Sequence, residues 1–194
     1  MENPVMLLSI GVVFGLLLAV NWVRVLKEDE RAVISRLGKV HAVRGPGLVL
    51  VLNPIEKMVK VGLQLKSYEI PFLDITTVDQ VKLKANGLVY YRISDAAAVV
   101  RECDDYDAAV TELSTVVMRD VLPTRRMYDL LYNRPDIDEE IKHSLESRTL
   151  PLGIEITAMK ILAIDIPPDM ASPAARLVED EEIRLKQMKK VKSY

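Results

Sequence analysis

Hydrophobic residues fill the chain from Val5 to Val25 with no charge before Arg24, and no later stretch of that length is free of charge. In a helix, about twenty such residues at ~1.5 Å each cross the ~30 Å hydrocarbon core of a bilayer. Behind that run the pattern changes to short alternating segments. Ala32–Leu37 is rich in Val and Ile and stops at Gly38. Arg44-Gly45-Pro46-Gly47 predicts a turn, the apolar run Leu48–Leu52 a strand, and Asn53-Pro54 a second break. Val59, Val61 and Leu63 alternate with Lys60 and Gly62 as a half-buried strand does. Leu65–Ile70 before Pro71, and Ile75–Val78, predict two further short strands.

Val81–Ile93 carries conflicting signals. Asn86-Gly87 is a hairpin dipeptide. Yet Val81, Leu83, Ala85, Gly87, Val89, Tyr91 and Ile93 hold one face in unbroken period two. A reversal would be free to reset that register, so continuity predicts one long strand with a glycine inside it.

The period then lengthens. Ser94-Asp95 offers N-caps for a short helix over Ala96–Arg101. Tyr106–Leu122 repeats Ala109/Val110, Leu113, Val116/Val117 and Val121 at helical spacing and stops at Pro123. Met127–Tyr132 predicts one or two turns. Asp136 with Glu139 reads as a capping box for a helix whose stripe is Ile137, Ile141 and Leu145. Leu150-Pro151-Leu152-Gly153 breaks it. Ile154–Ile166 predicts a long strand with Ile154, Ile156 and Ala158 on one face, closed by Pro167-Pro168. A charged segment of helical composition, Pro173–Val191, ends the chain. Strands, then helices, then one late strand make an α+β pattern rather than an alternating parallel one.

The flanks of the first run decide its role. A cleaved signal peptide has a basic leader, a shorter apolar stretch and a small-x-small site. Here the leader 1–4, Met1-Glu2-Asn3-Pro4, is acidic, and the run closes on Trp22 with Arg24 and Lys27 behind it. That predicts an uncleaved single-pass anchor over 5–25, with the body on the cytoplasmic side by the positive-inside rule. Whether Leu48–Leu52 is a buried strand or grazes the headgroup layer stays open from the residues alone. Arg24, Lys27, Arg36, Lys39 and Arg44 lie close behind the anchor. They suit either anionic headgroup contacts, worth about 1 kcal/mol each, or ordinary surface charge.

The remaining chemistry is sparse. A net charge of -2, with both signs interspersed, gives no basic face for nucleic acid. Cys103 stands alone among acids that would keep its thiol protonated. His41 and His143 are too far apart in sequence to suggest a metal set. Gly38-Lys39 lacks the glycine spacing and hydroxyl of a phosphate loop. Asp104-Asp105-Tyr106-Asp107 lacks the glycine and closing glutamate of a calcium loop, and helix capping explains it. Ser35 near Lys39, and Ser67 beside Lys66, have no elbow motif around them. The residues therefore predict no catalytic group, no cofactor and no metal.

Five pieces in order carry a resemblance: RAVISRLGKVHAVRGPGLVLVLNP, VKVGLQL, VYYRISD, MRDVLPTRRMYDLLYNRPDIDEEI and GIEITAMKILAIDIPPDM. Together they resemble the stomatin/prohibitin (SPFH or Band 7) superfamily, nearest its prokaryotic stomatin-like, or slipin, branch. The resemblance implies an SPFH domain over 28–170, with helices packed on a sheet, behind the anchor. It implies a long helix after the domain, whereas the residues predict only a short charged helix over 171–194. Its structural turns are Gly38, Gly45, Pro46, Gly47 and Pro54. It implies a non-enzymatic scaffold that forms a homo-oligomer on the membrane and organises local lipid and protein composition. The alternative is an adaptor for a membrane protease or channel, with a serine-protease or NfeD-like partner; a membrane-bound hydrolase stands third.

Departures from the family pattern are Ala96 for a proline, Leu152 for a tryptophan, and Lys160 and Ala163 for acids. The last apolar residues, Leu177 to Val191, keep no heptad for three repeats. The long coiled coil of the family is not expected here.

Overall fold

The computed structural model describes residues 23–36, 38–51, 56–167, 176, 178–180, 183–184 and 188. Most of the predicted span, Val5–Trp22, and the turn residue Pro54 lie outside them. Two compact units emerge: the chain up to Gln64 with Ile93–Asp104, and Leu65–Arg92 with the chain from Asp105 onward.

The first unit begins with β1 (Val23–Leu26), β2 (Glu30–Arg36), β3 (Lys39–Arg44), β4 (Gly47–Leu50) and β5 (Glu56–Gly62). Val23–Val25, the last three residues of the predicted span, are thus strand. β1 and β4 form an antiparallel two-stranded ribbon, with Val25 opposite Leu48 and Arg24 opposite Val49. A second sheet has the order β3-β2-β5. Leu26, Ala32, Ile34, Val49 and Val51, joined by Met58, form one apolar cluster. Because opposed residues share a face, Ala32 and Ile34 look toward the ribbon strands. Val33 and Val61, also buried, face the other way. There α1 (Ala96–Glu102) lies against β2 and β3, capped by Asp95 rather than Ser94. Gly38, at φ +83°, turns β2 into β3. His41 sits in a one-residue bulge of β3, between the pairs Ile34–Ala42 and Ser35–Val40.

The second unit is a β6-β7-β8 sheet with helices on one face. β6 (Lys66–Thr76) corrects the two short strands expected on either side of Pro71. The strand runs through the proline because it lies at the sheet edge and bulges there: Ile70 pairs Gly87 and Leu73 pairs Ala85. Pro71 and Phe72 thus share the place opposite Asn86, where no ladder N–H is needed. β7 (Lys82–Ile93) is the single long strand that continuity predicted, with every residue of its period-two face buried.

α2 (Tyr106–Val121) is capped by Asp105 and runs into a 3-10 turn, Leu122–Thr124, that holds Pro123. Its buried face is Val110, Ser114, Val117, Met118 and Val121, while Val116 is exposed. The expected stripe was one residue out of phase at Leu113 and Val116. α3 (Met127–Tyr132) matches its predicted span.

α4 (Arg134–Thr149) starts two residues before the expected Asp136 cap. Pro135 fits the first turn, and Asp136 lies inside it rather than before it. Its stripe is the expected Ile137, Ile141 and Leu145, with Asp138 and Thr149 also buried. The turn Leu150–Leu152 ends on Gly153 at φ +81°, and β8 (Ile154–Asp165) follows. On β8 the buried residues are Ile154, Ile156, Met159 and Ile161, so Ala158 leaves the core face where the alternation slips. The described residues from 176 to 188 are helical. No described helix is long and apolar enough to cross a membrane.

Candidate membrane-contact surface

Period two divides the ribbon between two environments. On its inward face Leu26, Val49 and Val51 are 4%, 5% and 4% exposed. On its outward face Val25, Leu48 and Leu50 are 68%, 78% and 68% exposed. The described part of that run, residues 48–51, is therefore neither wholly buried nor wholly outside. Each aliphatic side chain left in water forgoes ~1.5–3 kcal/mol of transfer free energy, so three on one face mark a surface meant to be covered. It begins at Val25, the last residue of the predicted span.

The turn that returns the chain to this surface is Gly45-Pro46-Gly47. Gly47 has φ +110°, a backbone conformation that only glycine takes without strain, whereas no positive φ occurs at Gly45. Of the five basic residues expected at headgroups, Arg24, Lys27, Lys39 and Arg44 are exposed. Arg36 is also exposed, but its guanidinium is 2.6 Å from the buried Glu56 carboxylate. Arg36 is opposite Lys39 and Ala32 opposite Arg44 across β2 and β3. These cations are spread over the unit rather than gathered at one point.

Lys60 was not singled out in the sequence. It is opposite Ala32 on β5. With Arg24, Val51 and Met58 it lines an open cleft of about 340 Å³ in the first unit. The signal for it was present: Val59 and Val61 on one face of β5 put Met58 and Lys60 on the other.

The second unit holds the densest polar cluster. Lys66 Nζ donates to Asp107 Oδ2 at 2.9 Å and to Tyr106 Oη at 3.2 Å, and lies 4.6 Å from the Tyr106 ring centre. Tyr91 Oη donates to Asp107 as well. Burial, then the bond to Asp107, pushes the Tyr91 phenol well above its usual range. For Lys66, burial opposes the charged form, but Asp107 and Tyr106 more than offset it and the net shift is upward. A cationic lysine and a protonated phenol at neutral pH hold β6, β7 and α2 together. They present no base or nucleophile.

The serine–lysine pairs considered above part company. Ser35 donates to the Lys57 carbonyl and Lys66 turns to Asp107. Cys103 is half-buried, and burial with Glu102 and Asp104 raises its thiol, which disfavours the reactive thiolate. Among the described residues no three His, Cys, Asp or Glu side chains gather as a metal set would require. Lys160 and Ala163, two departures from the resemblance, are both used. Lys160 is 3.2 Å from Asp138, and the Ala163 N–H donates to Asn86 Oδ1.

A model described as SPFH domain / Band 7 family matches residues 24–193. An uncharacterized protein of Archaeoglobus fulgidus is 36% identical over 177 residues, covering 91% of this chain and 70% of that protein. A stomatin homolog of Pyrococcus horikoshii is 32% identical over 176 residues, covering 91% of this chain and 66% of the homolog. Mouse stomatin-like protein 3 is 36% identical over 166 residues, 84% of this chain and 58% of its own length. The chain thus spans between 58% and 70% of the length of these three relatives.

Proposed function

Because the chain belongs to the SPFH domain / Band 7 family, we propose that it is a non-enzymatic, membrane-apposed scaffold. The observation that carries this reading is the outward row Val25, Leu48 and Leu50, which begins at the carboxyl end of an apolar run long enough to span a bilayer. With that run in lipid, the row sits at the level of the headgroups and the first methylenes. Lys27 and Arg44 then lie where anionic headgroups would meet them. The body works on the cytoplasmic side, and copies assemble side by side to organise nearby lipid and protein.

The test places an environment-sensitive fluorophore at Leu48→Cys, in a Cys103→Ser background, in the full chain reconstituted into vesicles. A blue-shifted emission quenched by lipid-borne quenchers supports apposition. Emission matching that of a label at Glu139→Cys overturns it.

A further inference from the structure

We propose that the cleft between β1 and β5 binds the phosphate of an anionic phospholipid. The inference rests on the membrane-apposed reading and deepens it by naming the lipid class. Arg24 belongs to the inward side of the ribbon, the side of Leu26 and Val49, so it points away from the apolar row. Across the cleft, Lys60 stands on β5 opposite Ala32 of β2. Val51, which is buried, and Met58, which is half-buried, line the cleft with Arg24 and Lys60.

Among the described residues no carboxylate lies within ion-pair distance of Arg24, Lys60 or Arg44. Two cations lining one cleft raise the local positive potential and favour an anion there. The guanidinium offers a planar fork of donors that matches phosphate oxygens, and the ammonium a compact second charge. Val51 and the pliant Met58 side chain suit glycerol and the first methylenes of an acyl chain, which free phosphate lacks. A volume of about 340 Å³ falls within the ~300–1,000 Å³ common for small-ligand sites.

The experiment uses the full chain in mild detergent. It measures by native mass spectrometry how much phosphatidylglycerol, phosphatidylcholine of the same chain length, or inorganic phosphate each chain retains. Phosphatidylglycerol should be retained over phosphatidylcholine. Lys60→Gln and Arg24→Gln should each weaken that retention about fivefold, which corresponds to ~1 kcal/mol per cation. Lys57→Gln, the same charge change on the opposite face of β5, should leave it unchanged. Lys60→Gln is exposed and keeps the fold, so it decides the matter if Arg24→Gln does not fold.

Unaltered retention in Lys60→Gln overturns the proposal. Displacement of the lipid by millimolar inorganic phosphate overturns the lipid assignment in favour of a soluble anion. A Leu48 label that stays in water while Lys60→Gln still loses phosphatidylglycerol defeats the membrane-apposed reading alone. A label in lipid with no effect of Lys60→Gln defeats this site alone.

Discussion

Gly87 shows a single residue deciding how closely two layers pack. A Cβ built there would lie 2.9 Å from Met159 Cε, 3.1 Å from Met118 Sδ and 3.2 Å from the Lys160 carbonyl. The side-chain ends can yield, but the carbonyl of the neighbouring strand cannot. Gly87→Ala should therefore cost about 1–3 kcal/mol in urea unfolding, as overpacked cores do. At Gly47 the cause differs. Nothing lies within 4 Å of its missing Cβ, so Gly47→Val is penalised through φ +110° alone, again by about 1–3 kcal/mol. A Gly47→Val chain that melts with the wild type would refute the strained turn. Gln80 is the non-glycine residue described at positive φ, +61°. Asn tolerates that region and β-branched residues do not. Gln80→Asn should be neutral in the same assay and Gln80→Val costly.

Elements were legible where a period continued and illegible where a side chain from another element intervened. The period-two face of β7 overrode its Asn-Gly dipeptide because seven positions outvote two. The Pro71 bulge was missed because its explanation is the opposing Asn86, whose amide reaches Glu69 and whose carbonyl takes the Ala163 N–H. The start of α3 is capped from afar, Met127 N–H donating to Asp79 in the β6–β7 turn. Sequence neighbours could not reveal that. The buried Asp138 carboxylate on α4 likewise takes the Ile161 N–H at 2.9 Å and Lys160 at 3.2 Å. Asp138→Ala leaves a buried donor unmet, and a loss of about 1–3 kcal/mol is expected in thermal melts.

The Lys66–Asp107–Tyr91 link between elements sets an alkaline limit. Folding holds Tyr91 protonated, so the unfolded chain releases that proton first, and stability falls as pH rises past the ordinary value of 10.0. Lys66 acts in the same direction. Its raised value gives stability that is fully present below the ordinary 10.5 and lost as pH climbs through the folded value. Cys103, raised from the ordinary 9.0, acts likewise, so in a Cys103→Ser background the melting temperature should be flat from pH 8 to about pH 10 and then drop, and Tyr91→Phe should blunt the drop.

At the scale of the molecule, α+β layering and the family were readable, since both rest on the order of segments. The candidate surface was only half readable. Its apolar run was visible, but which residues face outward depends on the pairing of β1 with β4. The cleft was invisible because Arg24 and Lys60 come to line one opening only through that fold. Leu177–Val191 keeps no heptad, so on the scaffold reading the lateral contacts of this segment of chain lie on the body. In mild detergent the full chain should sediment as a particle several times heavier than one chain, and a monomer would count against the scaffold reading. Alkaline carbonate should leave the chain in the membrane pellet.

The ribbon has one more consequence. On the membrane-apposed reading, β1 takes up the last three residues of the predicted span and is locked in register to β4, so the first unit would hang from the bilayer without a slack leash. A body so held keeps one side toward the lipid and moves in a plane. Two copies then meet already oriented, and much of the rotational entropy that association in solution would cost has been surrendered beforehand. On that reading even a weak lateral contact would suffice to join them.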